Sequence, residues 1–156
     1  MLVFSEYQTD TIDLALDFYG YEDCPKNYEF GPSVRDNFVL HFITKGKGVF
    51  HINKKEIHLE AGDLFLLPKN KVTYYQADSE EPWSYYWIGI SGTKVSDFMR
   101  FSTLQEKGFL KKTEVDTERI GLFMEQLVHK AEVSKMTSHY QLHLLSQIYE
   151  LLYLIG

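Results

Sequence analysis

Along the first two-thirds of the chain hydrophobic and polar positions alternate, and along the last third apolar residues recur every three or four positions. The first pattern belongs to strands with one buried face, the second to amphipathic helices. Residues 12–19 set Ile12, Leu14, Leu16 and Phe18 against Asp13, Ala15, Asp17 and Tyr19, which predicts a strand. Gly20, Pro25, Gly31 and Pro32 punctuate residues 20–35, which reads as a loop or arm. Phe38 to Thr44 is apolar, Lys45-Gly46-Lys47-Gly48 interrupts it, and Val49 to Asn53 is expected to run back as its hairpin partner. Lys54-Lys55 turns into Glu56 to Glu60, and Ala61-Gly62-Asp63 into Leu64 to Leu67, which Pro68 closes. Val72 to Ala77 and Trp83 to Ser91 follow. Short strands at this even spacing predict a sandwich or barrel.

After Gly92 the period changes. Val95, Phe98 and Met99 begin a short helix. A second helix, capped by Asp116 or Thr117, places Ile120, Phe123, Met124, Leu127, Val128 and Ala131 on one face, with Gly121 weakening it slightly. A third, capped by Thr137 or Ser138, carries Leu144, Leu145, Ile148, Leu151, Leu152 and Ile155. That stripe is too wide for one neighbour. Either part of it packs on the second helix and the rest meets a partner subunit, or both helices simply cover the barrel.

Composition narrows the function classes. The 156 residues suffice for one domain with a real core, and 15% aromatic residues suit a β-rich core or a ring-lined pocket. A net charge of −6 without clustered Lys and Arg argues against DNA binding by this chain alone. The single Cys24 cannot form an internal disulfide and no signal peptide is visible, so the expected location is the cytoplasm. No apolar run is long enough to span a bilayer, so no membrane partner is expected.

The stretch Gly62-Asp63-Leu64-Phe65-Leu66-Leu67-Pro68-Lys69-Asn70 resembles the second conserved motif of the cupin superfamily, a Gly-Asp turn, a strand and a Pro-led turn. The resemblance implies a double-stranded barrel and a metal-binding His further on. Counted in that register the His position falls at Thr73, and the ligands of the first motif fall near Ser33, Arg35 and Val39. None is a good ligand for zinc, iron or manganese, so no metal and no other cofactor is expected. His139 and His143, four apart on one helix face, could in principle bind a metal, but such a pair is more often a solvated face.

The same register assigns side chains to the interior, because residues two apart share a face. Thr73 inward implies Tyr75 inward, and Arg35 and Val39 imply His41. Trp83, Tyr85 and Trp87 share one face of the last strand. Arg35, His41, Tyr75, Tyr85 and Trp87 would together offer a flat ring for the C–H side of a pyranose and polar groups for its hydroxyls. Taken singly, a Tyr or Trp on a strand is more often packing. The functional reading rests on their convergence.

Longer stretches carry a closer resemblance. Gly20-Tyr21-Glu22-Asp23-Cys24-Pro25, Phe30-Gly31-Pro32-Ser33-Val34-Arg35-Asp36, Gly46-Lys47-Gly48, Tyr75-Gln76-Ala77-Asp78 and residues 82–92 look like the N-terminal domain of AraC-type regulators, notably those of multiple-sugar, raffinose or melibiose operons. The resemblance implies a mostly β protein, a cupin-like barrel at 1–92 with an N-terminal arm over its mouth, followed by an antiparallel helical hairpin at 93–156 that dimerises. In a family member that senses arabinose, a Tyr, a His and a Trp contact the sugar. They fall on Tyr75, Tyr85 and Trp87, with Tyr85 departing from the His. Arg35 is the plausible substitute for that protein's Arg, and Tyr21 falls on an aromatic near its pocket. The implied ligand is a sugar, an α-galactoside among the candidates. DNA binding would belong to a helix-turn-helix domain that this chain does not contain. The alternative is a cupin enzyme acting on a sugar or other small molecule, which would need a metal or an acid–base pair in the barrel.

Overall fold

The computed structural model describes residues 2–6, 13–133 and 138–156, with the backbone alone for 2–6, 133 and 138–141. Ten strands and four helices follow in the order β1 Leu2–Glu6, β2 Ala15–Asp23, β3 Glu29–Val34, β4 Phe38–Lys45, β5 Lys47–Ile52, β6 Lys55–Glu60, β7 Leu64–Leu67, β8 Val72–Ala77, β9 Ser84–Ser91, α1 Thr93–Met99, α2 Thr103–Lys107, β10 Phe109–Leu110, α3 Thr117–Val133 and α4 Ser138–Ile155. One sheet has the order β1-β2-β9-β4-β7-β10 and the other β3-β8-β5-β6. Every pairing within them is antiparallel. The two sheets face each other as a cupin-like barrel, and the helices lie on the outer face of the larger sheet.

Alternation along β4 feeds two separate cores. Val39 and Ile43 join the cluster between the sheets, with Phe50, Phe65, Leu67, Trp83 and Tyr85. Phe38 and Leu40 join the cluster under the helices, with Leu66, Ile88, Met124, Leu127 and Ile148. A strand buried on both faces needs apolar residues at every position, which is why Leu64–Leu67 reads as a continuous run.

Several expectations are corrected. The partner of β4 is not β5: β4 pairs with β7 and β9, and β5 pairs with β6 and β8 in the other sheet. Only Gly46 separates the two strands. It sits at φ 70°, and a Cβ there would stand 2.3 Å from the Pro82 carbonyl oxygen, so the chain crosses between sheets at a point only glycine allows. Residues 20–35 are not a loop, because they hold the end of β2 and all of β3. Pro32 is tolerated since β3 is an edge strand with a bulge between Phe30 and Ser33. The first strand is displaced from 12–19 to Ala15–Asp23, with Ile12 outside the described residues. A second bulge, between Leu16 and Phe18, reverses the alternation of β2. Leu14, Leu16 and Tyr19 therefore face the helices while Phe18 turns into the barrel. Gly89 makes room for it: a Cβ there would lie 2.3 Å from the Phe18 ring.

The chain past 92 is not wholly helical, since β10 adds Phe109 and Leu110 to the edge of β7. The faces expected on α3 and α4 are buried, and α4 packs on α3 and on β2. The wide stripe of α4 is thus satisfied within the chain. What α4 leaves exposed is a different line, Leu142, Tyr149 and Tyr153, and α3 leaves Leu122 exposed. Thr137 and the side chain of His139 lie outside the described residues. No helix among the described residues is long and apolar enough to cross a membrane.

Candidate functional site

The barrel interior is assembled by parity. His41 on β4 lies opposite Trp87 on β9, and Trp87 lies opposite Gly20 on β2. Tyr75 on β8 lies between Phe30 on β3 and Phe50 on β5. The rings converge. His41 stacks on Phe65 with centroids 4.3 Å apart and planes at 8°, and meets Tyr75 at 5.4 Å and Tyr85 at 4.9 Å edge-on. Tyr85 meets Trp87 at 5.7 Å, also edge-on. Arg35 follows β3, and its guanidinium carbon sits 5.6 Å from the Phe18 ring centre and 5.1 Å from that of Phe30, at cation–π distance from both.

Of the six residues expected at the site, the structure brings together Arg35, His41, Tyr75, Tyr85 and Trp87. Tyr21 does not join them. The bulge in β2 points Tyr21 away from the interior, where its ring packs on Tyr86 at 4.6 Å and its hydroxyl donates to Asp23 at 2.9 Å. The inward positions here are instead Phe18 and Glu22 on β2 and Cys24 just after it. Sequence reasoning missed Phe18 because of the bulge after Leu16, and Glu22 and Cys24 because it placed Gly20 onward in a loop. The alternation Gly20-Glu22-Cys24 before Pro25 was the available signal.

Burial sets the protonation states. His41 is only 2% exposed, and burial, then the charge of Arg35, hold its pKa down to about 3, so the imidazole is neutral. Its Nδ1 has no hydrogen-bond partner among the described residues, and neither have the buried Trp83 Nε1 and Ser33 Oγ. Burial pushes the hydroxyls of Tyr75 and Tyr85 up, so both stay protonated and able to donate. It also pushes the Cys24 thiol up to about 12, which leaves it unreactive beside the Tyr85 hydroxyl it hydrogen-bonds. Glu22, opposite Tyr85 in the register, has its pKa raised by burial. Its charge acts on Tyr85, Tyr28 and Cys24, whereas that of Arg35 acts on His41 and Tyr75. The barrel interior therefore sets the charge of Arg35 beside His41 and Tyr75 and that of Glu22 beside Tyr85 and Cys24, with uncharged hydrogen-bonding groups between aromatic faces.

The positions where a cupin metal would be ligated hold Ser33, Arg35, Val39 and Thr73, with Thr73 and Val39 buried and Ser33 paired to Thr73. No three His, Cys, Asp or Glu converge as a metal site among the described residues. A hydroxyl pair and a guanidinium suit a hydroxylated ligand better than a divalent ion.

The model of the AraC-like ligand binding domain matches residues 15–152. The Msm operon regulatory protein of Streptococcus mutans is 39% identical over 152 residues, 96% of this chain and 53% of that protein. The raffinose operon transcriptional regulatory protein RafR of Pediococcus pentosaceus is 42% identical over 100 residues, 62% of this chain and 36% of that protein. This chain thus spans about half, or less, of the regulators it matches. Among solved structures, YhaK from Escherichia coli superposes with a TM-score of 0.50 at 14% identity, over 59% of this chain and 45% of that one, a likeness of fold alone.

Proposed function

The chain belongs to the AraC-like ligand binding domain family, and from that premise we propose that its barrel senses a neutral sugar for a transcription regulator of carbohydrate utilisation. The observation that carries this reading is the convergence of His41, Tyr75, Tyr85 and Trp87 around an unpartnered, uncharged His41 Nδ1, with Arg35 at the rim. Trp87 supplies the ring face, the tyrosines donate, and the imidazole and Arg35 fix hydroxyl positions. Such a site discriminates strongly, since a ligand lacking one hydroxyl leaves a buried group unpaired. The names of the raffinose and lactose operon regulators support a sugar as the effector class, with raffinose the first candidate.

A non-catalytic role fits the same residues. A neutral His with pKa near 3 is a poor general base at physiological pH, and Ser33, Val39 and Thr73 are poor ligands for a catalytic metal. In the full regulator DNA would be bound by a helix-turn-helix half outside this chain, acting in the cytoplasm, with residues 93–156 as the dimerisation segment. The exposed line Leu142, Tyr149 and Tyr153, spaced seven and four along α4, supports pairing of two copies through these helices.

The test is a thermal-shift panel of raffinose, melibiose, galactose and arabinose. At about 100 times its Kd, an effector should stabilise the fold by about 2.7 kcal/mol. No shift with any sugar, or a stoichiometric transition metal found by elemental analysis, would overturn the reading.

A further inference from the structure

The outer face of the smaller sheet is bare of helices, and at one end it carries a second concavity. This cavity of about 610 Å³ lies between the β5–β6 hairpin turn and the loop that leads into β8. Three lysines, Lys54, Lys55 and Lys71, line it against one carboxylate, Glu56. Glu56 is already engaged, since its Oε1 lies 3.4 Å from the His58 ring. None of the three lysines forms an ion pair among the described residues, as is also true of Lys26, Lys45, Lys69 and Lys94, but only these three line one concavity. Gathered at one rim, their positive potentials add, on a chain whose net charge is −6.

The walls add a second chemistry. His51 and Tyr74 stand side by side across β5 and β8, ring centres 5.1 Å apart. Pro32 and Val72 supply an apolar side, and Val72 is 62% exposed. An open concavity of this volume, with an apolar wall and a few polar groups, can seat a small molecule with one side left to solvent.

The backbone of the hairpin turn is the third observation. Asn53 and Lys54 both lie in the left-handed region, at φ 53° and 63°. A two-residue turn of this kind favours glycine at its second position, because a side chain there crowds the backbone. The chain holds a lysine at that strained position, and it is one of the three that line the cavity. Strain kept at one point of a site is grounds for asking what the side chain does there.

We propose that this cavity binds a small phosphorylated metabolite, a sugar phosphate in chemical class, distinct from the neutral sugar of the barrel. Lys54, Lys55 and Lys71 would hold the phosphate by charge-assisted hydrogen bonds, and the Tyr74–His51 wall would take the polyol body.

The experiment is a two-dimensional amide NMR titration of the chain with glucose 6-phosphate, and with glucose and inorganic phosphate as partial probes. Saturable shifts confined to residues 51–56 and 71–74 are expected with glucose 6-phosphate, weaker ones with phosphate and none there with glucose. Lys54→Gly and Lys71→Gln should each weaken binding roughly tenfold. Lys54→Gly should also raise the melting temperature, because glycine relieves the turn, so its loss of binding would not come from unfolding. Raffinose binding by either variant should equal that of the parent chain, which separates this site from the barrel. No shift up to about 10 mM, shifts in the barrel at Tyr85 and Trp87, affinity unchanged in both variants, or binding of a DNA duplex without binding of the sugar phosphate would each overturn the proposal.

Discussion

Burial holds the His41 pKa down to about 3, against 6.5 for the free side chain, and the consequence for stability has a definite sign. The unfolded chain binds a proton at this residue that the folded barrel refuses. Its stabilising effect is therefore complete above about pH 6.5 and is lost as pH falls from there toward 3, at up to about 1.4 kcal/mol per pH unit. Urea unfolding of the parent and of His41→Gln at a series of pH values checks this. The variant should show a shallower acid decline, and parallel curves would contradict the assignment. Because His41 stays neutral, its titration should not alter sugar affinity between about pH 5 and 8, and any acid-side change there should vanish in Glu22→Gln. Tyr85→Phe leaves the ring contacts to His41 and Trp87 intact and removes one hydroxyl, with its hydrogen bonds to Tyr75 and Cys24. A loss of about tenfold or more in sugar affinity is expected, with little change in fold, as a titration with the best sugar would show.

Two glycines show how an element's fit decides the sign of a substitution. Gly121 lies inside α3, where Ala is ordinarily better by about 1 kcal/mol. Here a Cβ would stand 2.1 Å from the Phe42 ring on β4, so the glycine lets the helix sit down on the sheet. Gly121→Ala should therefore destabilise by about 1–3 kcal/mol as an overpacking change, measured by urea unfolding. Lys54→Gly is the converse, expected to stabilise by about 0.5–1 kcal/mol by removing left-handed strain. The strands from Phe38 to Ser91 were legible because each carries an alternation or a short apolar run with a turn signal beside it, and the helical stripe of α3 because its apolar residues recur at three and four. The bulge between Leu16 and Phe18 was not legible. It moves one residue out of register, and that reverses every later position of β2, taking Tyr21 out of the site and bringing Glu22 in. Nor was the sheet switch at Gly46, since a glycine between two strands signals a turn without saying which strand will be the partner.

At the scale of the whole molecule the larger sheet is the shared wall between the barrel interior and the helices. Leu40, Leu66 and Ile88 pack on the helical side, and their strand neighbours Val39, Phe65 and Trp87 face the barrel interior. A ligand that shifts β4 or β9 therefore acts directly on the surface beneath α3 and α4. It can change the spacing or stability of a dimer only by binding the two arrangements with different affinity. If α4 forms the pairing surface, Leu142→Glu with Tyr153→Glu should convert a sedimenting dimer to monomer and leave the barrel folded. A parent chain that sediments as a monomer at tens of micromolar would contradict this. The central claim is that the barrel closes its aromatic and uncharged polar groups around a neutral sugar, and isothermal titration of raffinose and melibiose into the parent chain and Trp87→Ala tests it most directly. One sugar bound per barrel in the parent, with heat abolished in the variant, is the predicted result; no heat from either sugar, or equal heat from both proteins, would contradict it.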